Sequence, residues 1–334
     1  MRLFFSLIGI LAYSGLVAQA DDVSPQSLAR TGYFDLASRM PKEDAELVLS
    51  RAFVARPQGL YFLMSARYSG LAQAILQTDL AGKTKQLIHL SSPVMDNWLD
   101  VDDLGQMYVW RQRRREDGGV STSVYSYGAD GKLLDTVESR GKFIRVSLAN
   151  RRLAGVTYPD GIIEDFADGE PLAALSGPAL DSVKTAALIG GIQALAESTV
   201  IGTIPDANTI YTVDLSTGNI DTTKVEAPEI AHAWAVGYRG DPKGAMVIGS
   251  FAVDERDKIY LLITGQPFGT AVILQVDSTG SLERSLRCPL PAVDVLRTSA
   301  TPDGTMFPGL IGIAGDTIFI VDQRGHVASC PIVP

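Results

Sequence analysis

Apolar and polar positions alternate along most of this chain, in runs of four to eight residues broken by short polar turns. Alternation of period two is the signature of a half-buried β-strand. Six stretches share one phrase: an apolar strand, a turn carrying Asp or Gly and closed by Gly, then a second strand. They run Leu76 to Ile88, Tyr125 to Val137, Glu164 to Leu175, Tyr211 to Thr223, Leu274 to Leu286 and Phe319 to Cys330. The turn glycines are Gly82, Gly131, Gly169, Gly218, Gly280 and Gly325, spaced by 49, 38, 49, 62 and 45 residues. A tight hairpin needs a residue at positive φ, which glycine supplies, and Asp bonds back to the turn backbone.

A second hairpin precedes several copies: Val54 to Met64, Leu99 to Trp110 and Phe251 to Ile263. The continuous run Ile259-Tyr260-Leu261-Leu262-Ile263 suits a strand covered on both faces. Four strands per repeat, at this period, predict an all-β fold: a six-bladed β-propeller of four-stranded antiparallel blades. One such sheet cannot cover both its faces alone, which explains the repetition. The reading divides the chain into residues 1–20 as a signal peptide, 21–46 as an N-terminal segment and 47–334 as the propeller. The last repeat stops near its hairpin. Its final hairpin is either the sheet's last two strands or its middle two; in the second case the early chain around Tyr33 to Leu36 supplies the missing outer strand and closes the ring.

Met1-Arg2, an apolar run from Leu3 to Val17 and Ala18-Gln19-Ala20 form a positive start, a hydrophobic region and a small-residue cleavage pattern. The run is short for a membrane span. The expectation is a secreted or periplasmic protein with no membrane insertion after signal removal. Net charge is −9, and −10 once Arg2 is removed with the leader. An acidic surface argues against nucleic acid as a partner. The two cysteines, Cys288 and Cys330, each precede Pro and end the last two repeats. In an oxidising compartment such a pair invites a disulfide; the alternative is two buried thiols.

The run Asn97-Trp98-Leu99-Asp100-Val101-Asp102-Asp103-Leu104-Gly105-Gln106-Met107-Tyr108-Val109 resembles the blade-opening phrase of NHL and SMP-30 repeats. Phe251 to Leu262 is a second match without the leading Asn. The chain thus resembles six-bladed propellers of the NHL, TolB-like and SMP-30 kind. These families include lactonases that hold a divalent metal in the axial channel, and many proteins that only bind partners. The resemblance implies a metal-facing role for Asn97 if the chain is lactonase-like. Its further ligands would be a Glu early in the first blade and an Asp late in the chain. Glu46 and Asp294 are the nearest residues, and neither lies in a matching motif.

No H-E-x-x-H, G-x-S-x-G or P-loop occurs, and three widely spaced histidines do not make an imidazole metal site. Asp100, Asp102 and Asp103 crowd one turn and read as hairpin chemistry with solvated acids. Arg111, Arg113, Arg114 and Arg115 are expected in the loop after the second strand of blade two. Arg145 is placed before the first strand of blade three. His232 and Trp234 fall in a long glycine-containing loop, where binding residues concentrate. His89 and His326 are expected to be exposed on outer strands, and Trp98 and Trp110 to pack in the interior. The ligand-binding candidates are therefore Asn97, Arg145, His232 and Trp234. The favoured function is a non-catalytic scaffold, without cofactor, for a protein, peptide or small ligand. The alternative is a metal-dependent hydrolase using a divalent cation such as calcium.

Overall fold

The computed structural model describes residues 26–66, 71–94, 98–140, 143–149, 152–177, 180–181, 192–196, 199–204, 208–230, 248–263, 270–291, 308–322 and 324–332. Two N-terminal strands, β1 (Gln26–Ser27) and β2 (Gly32–Asp35), precede the regular pattern. The first sheet holds β3 (Leu47–Arg56), β4 (Gly59–Ala66), β5 (Ala72–Thr78) and β6 (Thr84–Val94). The second holds β7 (Leu99–Val101), β8 (Met107–Arg114), β9 (Val120–Tyr127) and β10 (Leu133–Ser139). The third holds β11 (Phe143–Ala149), β12 (Arg152–Thr157), β13 (Ile162–Asp165) and β14 (Pro171–Ala174). The fourth holds β15 (Ile192–Ala196), β16 (Thr199–Ile204), β17 (Thr209–Asp214) and β18 (Ile220–Lys224). The fifth contains β19 (Ile248–Val253), β20 (Ile259–Ile263), β21 (Thr270–Val276) and β22 (Leu282–Pro289). The sixth contains β23 (Pro308–Ala314), β24 (Thr317–Asp322) and β25 (His326–Pro331).

Apart from β1 and β2, the strands of each sheet follow chain order and pair antiparallel. The first strand of each sheet packs against the first strand of the next, and β23 returns to β3. Sheets set radially about an axis in this way make a β-propeller. Six apolar clusters fill the seams between neighbouring sheets. The seam of the second and third sheets is the aromatic one, with Trp98, Tyr108, Trp110, Phe143 and Phe166. The second strands β4 and β20 are covered on both faces, so their apolar runs are continuous rather than alternating.

The expectation of four-stranded antiparallel blades throughout needs correcting. Five of the sheets have four strands, and the fifth sheet has five. Its extra strand, β1, runs parallel to β22, with Gln26 opposite Leu286 and Ser27 opposite Arg287. Leu28, buried with Leu286, Cys288 and Leu290, anchors it. Six residues later β2 pairs antiparallel with β25 and becomes the outer strand of the sixth sheet. The final hairpin of the chain therefore joins that sheet's second and third strands. One N-terminal strap covers the edges of two successive sheets, as exposed edges require. A disulfide between Cys288 on β22 and Cys330 on β25 binds the same two sheets.

The six turn glycines all have positive φ. Four of them also seat on the outer strand of the preceding sheet: Gly82 on Phe34, Gly131 on Ile88, Gly218 on Leu172 and Ala173, and Gly280 on Thr223. Gly325 meets Leu36 of the N-terminal strap instead, and Gly169 has nothing within 4 Å of a Cβ placed there.

Candidate functional site

The acid-rich turn of the second sheet is built for folding. Asp102 is buried, and its Oδ1 accepts from the backbone of Leu104 at 2.9 Å and of Gln106 at 2.8 Å. The Tyr108 hydroxyl donates to its other oxygen at 3.4 Å. Asp100 accepts from its neighbour Val101 and pairs with Arg56 at 3.4 Å, while Arg56 Nε donates to the Val101 carbonyl at 2.7 Å. These contacts pin the first sheet to the second. The expectation of solvated acids is corrected for Asp102, whose oxygens serve backbone N–H groups that would otherwise be buried without partners.

The basic residues lie elsewhere than expected. Arg111, Arg113 and Arg114 belong to β8 itself, and only Arg115 sits in the following turn. The strand simply runs past its buried half Met107–Trp110 into solvent, where long charged side chains are tolerated. Arg113 and Arg114 are exposed, and Arg115 pairs with Asp117 at 2.6 Å. Between Arg111 and Arg113, the Gln112 side chain donates to the Phe143 carbonyl, tying the second sheet to the third.

At the other end of this sheet lies an apolar rim. Leu104 is 65% exposed, Leu133 45% and Leu134 58%. A Cβ on Gly105 would lie 3.6 Å from Ala129 Cβ, so the turn bearing Leu104 adjoins the one that leads into Leu133 and Leu134. Leu134 leans on Gly128 and occupies the bulge between the paired positions Leu133 and Asp135. The whole of β10 is exposed or half-buried, unlike β22, which β1 covers. These leucines escaped the sequence reading because a strand with apolar residues at its turn exit looks the same whether or not another sheet covers it.

Of the four ligand-binding candidates, Asn97, His232 and Trp234 lie outside the described residues. Arg145 is corrected: it falls inside β11, opposite Val156 and just past a bulge after Phe143, because pairing already starts at Phe143. Glu46 is exposed beside β3, and Asp294 lies outside the described residues. Among the described residues no group of three or more His, Cys, Asp or Glu gathers to hold a metal. His89 is exposed as expected, 3.7 Å from Asp44. His326 is not: its ring is largely covered, with Nδ1 2.7 Å from Asp322 Oδ2. That hydrogen bond raises the imidazole pKa, against burial, which lowers it. Trp98 and Trp110 pack in the interior. Among the described residues no helix is long and apolar enough to cross a membrane. The leader at residues 1–20 lies outside the description.

No protein-family model matches this chain, and no curated protein matches it in sequence. Solved structures do resemble it. The WD40 repeats of RRP9 align over 92% of this chain and 99% of theirs, with a TM-score of 0.55 and 12% identity. The structure of U3-55K aligns over 90% and 98%, with a TM-score of 0.54 and 12% identity. Virginiamycin B lyase from Staphylococcus aureus aligns over 92% and 100%, at a TM-score of 0.48 and 13% identity. At such identities likeness extends to the fold and no further. The two alignments above a TM-score of 0.5 agree with the strand order in placing the chain among the β-propellers.

Proposed function

We propose that this chain is an exported, non-catalytic propeller of six blades that binds a protein or peptide at the rim of its second sheet. The observation that carries this reading is the cluster Leu104, Leu133 and Leu134. These are three of the five exposed large hydrophobic residues among the described ones, Leu104 on one turn of the sheet and Leu133 and Leu134 at the start of β10, just past the adjoining turn. Apolar residues held together on a rigid scaffold mark interaction sites. The blade count rests on the return of β23 to β3 and on an apolar cluster in each of six seams. Export rests on the leader pattern, and the disulfide fits an oxidising compartment.

A photocrosslinking residue in place of Leu134, introduced in the producing organism, tests the rim. A discrete adduct at Leu134, absent when the same residue replaces Arg114 and lost with Leu104→Glu, supports it. No adduct at Leu134, or equal adducts at both positions, removes it. A panel of lactones and esters with added calcium tests the non-catalytic part. Turnover that disappears with Asn97→Ala would replace the binding reading with metal-dependent hydrolysis.

A further inference from the structure

A second surface, on the far side of the ring from that rim, has the chemistry of a small-ligand site. Where the turn between β21 and β22 meets the outer strands of the fourth sheet, a groove encloses about 260 Å³. Its position follows from the seating of Gly280. A Cβ there would lie 2.5 Å from Thr223 Cγ2 and 3.3 Å from Ile210 Cδ1, so this turn rests directly on β17 and β18. Ile210 lies at the base of this contact, buried beneath the turn. Thr212, Asp221, Thr222 and Thr223 line the side contributed by the fourth sheet, and Ser278 and Thr279 the side of the turn. Ile210 is directly opposite Thr223, and Thr212 directly opposite Asp221, so these four side chains share one face of the ladder.

Among the described residues, the side chains of Thr212, Asp221, Thr222, Thr223 and Ser278 form no hydrogen bond within the chain. Thr279 is engaged, donating to Asp277 Oδ1 at 2.6 Å and lying 3.0 Å from the Ser281 hydroxyl. The groove thus offers threonine methyls, several hydroxyls that both donate and accept, and one carboxylate that only accepts. No Lys, Arg or His lines it, and Asp221 adds negative charge, so phosphates and carboxylates are disfavoured. A single carboxylate is too few charged ligands for a tight calcium site. The volume lies just below the usual range of about 300–1,000 Å³ for ligand pockets, which suits one ring rather than a polymer.

We infer that this groove binds a neutral polyhydroxylated ring, a saccharide unit, with its C–H face on the methyls of Thr212 and Thr223. A vicinal diol would donate to the two oxygens of Asp221, and the remaining hydroxyls would exchange hydrogen bonds with Thr212, Thr223 and Ser278. The site is separate from the leucine rim, and either can fail without the other.

The test is a methyl NMR titration of threonine-labelled protein with the methyl glycosides of glucose, galactose, mannose and N-acetylglucosamine. Saturable shifts are expected at Thr212 and Thr223, half-complete in the millimolar range, for at least one of the four, and none at Thr222, which faces the other side of the strand. Asp221→Asn should weaken that binding about tenfold, as loss of hydrogen bonds to a charged acceptor does. Thr212→Val should weaken it as well, and both groups are surface positions whose replacement leaves the thermal midpoint unchanged. Absence of saturable shifts with all four glycosides overturns the inference. So does binding that Asp221→Asn leaves intact, or calcium chloride alone producing the same shifts.

Discussion

The ring of Phe34 lies against the backbone of Gly82, so closely that a methyl group there would sit 2.4 Å from Phe34 Cδ1. Phe34 belongs to the N-terminal strap and Gly82 to a hairpin turn of the first sheet. The contact therefore joins the outer strand borrowed by the sixth sheet to the sheet that follows it. Phe34 is buried with Leu36, Phe62, Leu76, Phe319 and Val327.

Phe34→Ala should lower unfolding stability by about 3–5 kcal/mol, the usual cost of emptying a buried aromatic site. The same change should expose residues 26–35 to protease before the rest of the chain. Gly82→Ala should also destabilise, because φ is +83° there and the ring blocks the added methyl. Urea denaturation and limited proteolysis read both effects. A Phe34→Ala protein with wild-type stability would show that the strap is an ornament rather than a closure.

Tyr260 donates to Asp254 Oδ2 at 3.1 Å, and Oδ1 of the same carboxylate accepts from Arg256 N at 2.8 Å and Lys258 N at 2.9 Å. Burial, then the nearby Asp254 charge, drives the Tyr260 pKa well above 10, so the phenol stays protonated and donating. Tyr260→Phe should cost about 1–3 kcal/mol by removing a hydrogen bond to a carboxylate oxygen that then keeps only Arg256, 3.6 Å away, and Asp254→Ala more, since it strands two backbone donors as well. A double-mutant cycle measured by denaturant midpoint should show strong coupling between the two positions.

Cys288 and Cys330 are both fully buried and are bonded across 42 residues of sequence. In the chain-entropy view a bridge of this span stabilises by roughly 4 kcal/mol. The double change Cys288→Ser and Cys330→Ser should lower the denaturation midpoint accordingly, and wild type under a strong reductant should approach the same value. Equal midpoints for oxidised and reduced wild type would refute a stabilising role.

Asp322 raises the His326 pKa above 6.5 through a hydrogen bond and its charge; Asp35 adds to the effect, while burial and Arg324 oppose it. The folded-state pKa therefore exceeds the unfolded one. The resulting stabilisation is complete below about pH 6.5 and fades as pH rises through the folded-state value. The stability gap between wild type and His326→Gln should shrink over that interval, and an NMR titration of the imidazole should place its midpoint above 6.5. A midpoint at or below 6.5 would contradict the pairing. Tyr33 stacks on His326 with ring centroids 6.1 Å apart.

Much of this architecture was legible in one dimension. Hairpin turns are local: Asp-x-x-Gly sets its own hydrogen bonds within five residues, so Gly82 and Gly280 could be read as turns without any knowledge of what lay around them. Continuous apolar runs such as Ile259 to Ile263 announced strands covered on two faces. Spacing of the phrase implied sheets that need neighbours. What the pattern could not convey was which edge receives which strand. Gln26 and Ser27 are polar and carry no strand signature, yet their backbone completes the fifth sheet, because edge pairing uses N–H and C=O groups that every sequence possesses. Burial was equally silent: Asp102 and His326 look like surface residues until a neighbouring strand covers them, and Leu134 looks like core until nothing does. Local hydrogen bonding and side-chain period are written in the sequence itself, whereas the pairing of distant edges, and the exposure left over afterwards, exist only once the chain has closed on itself in space.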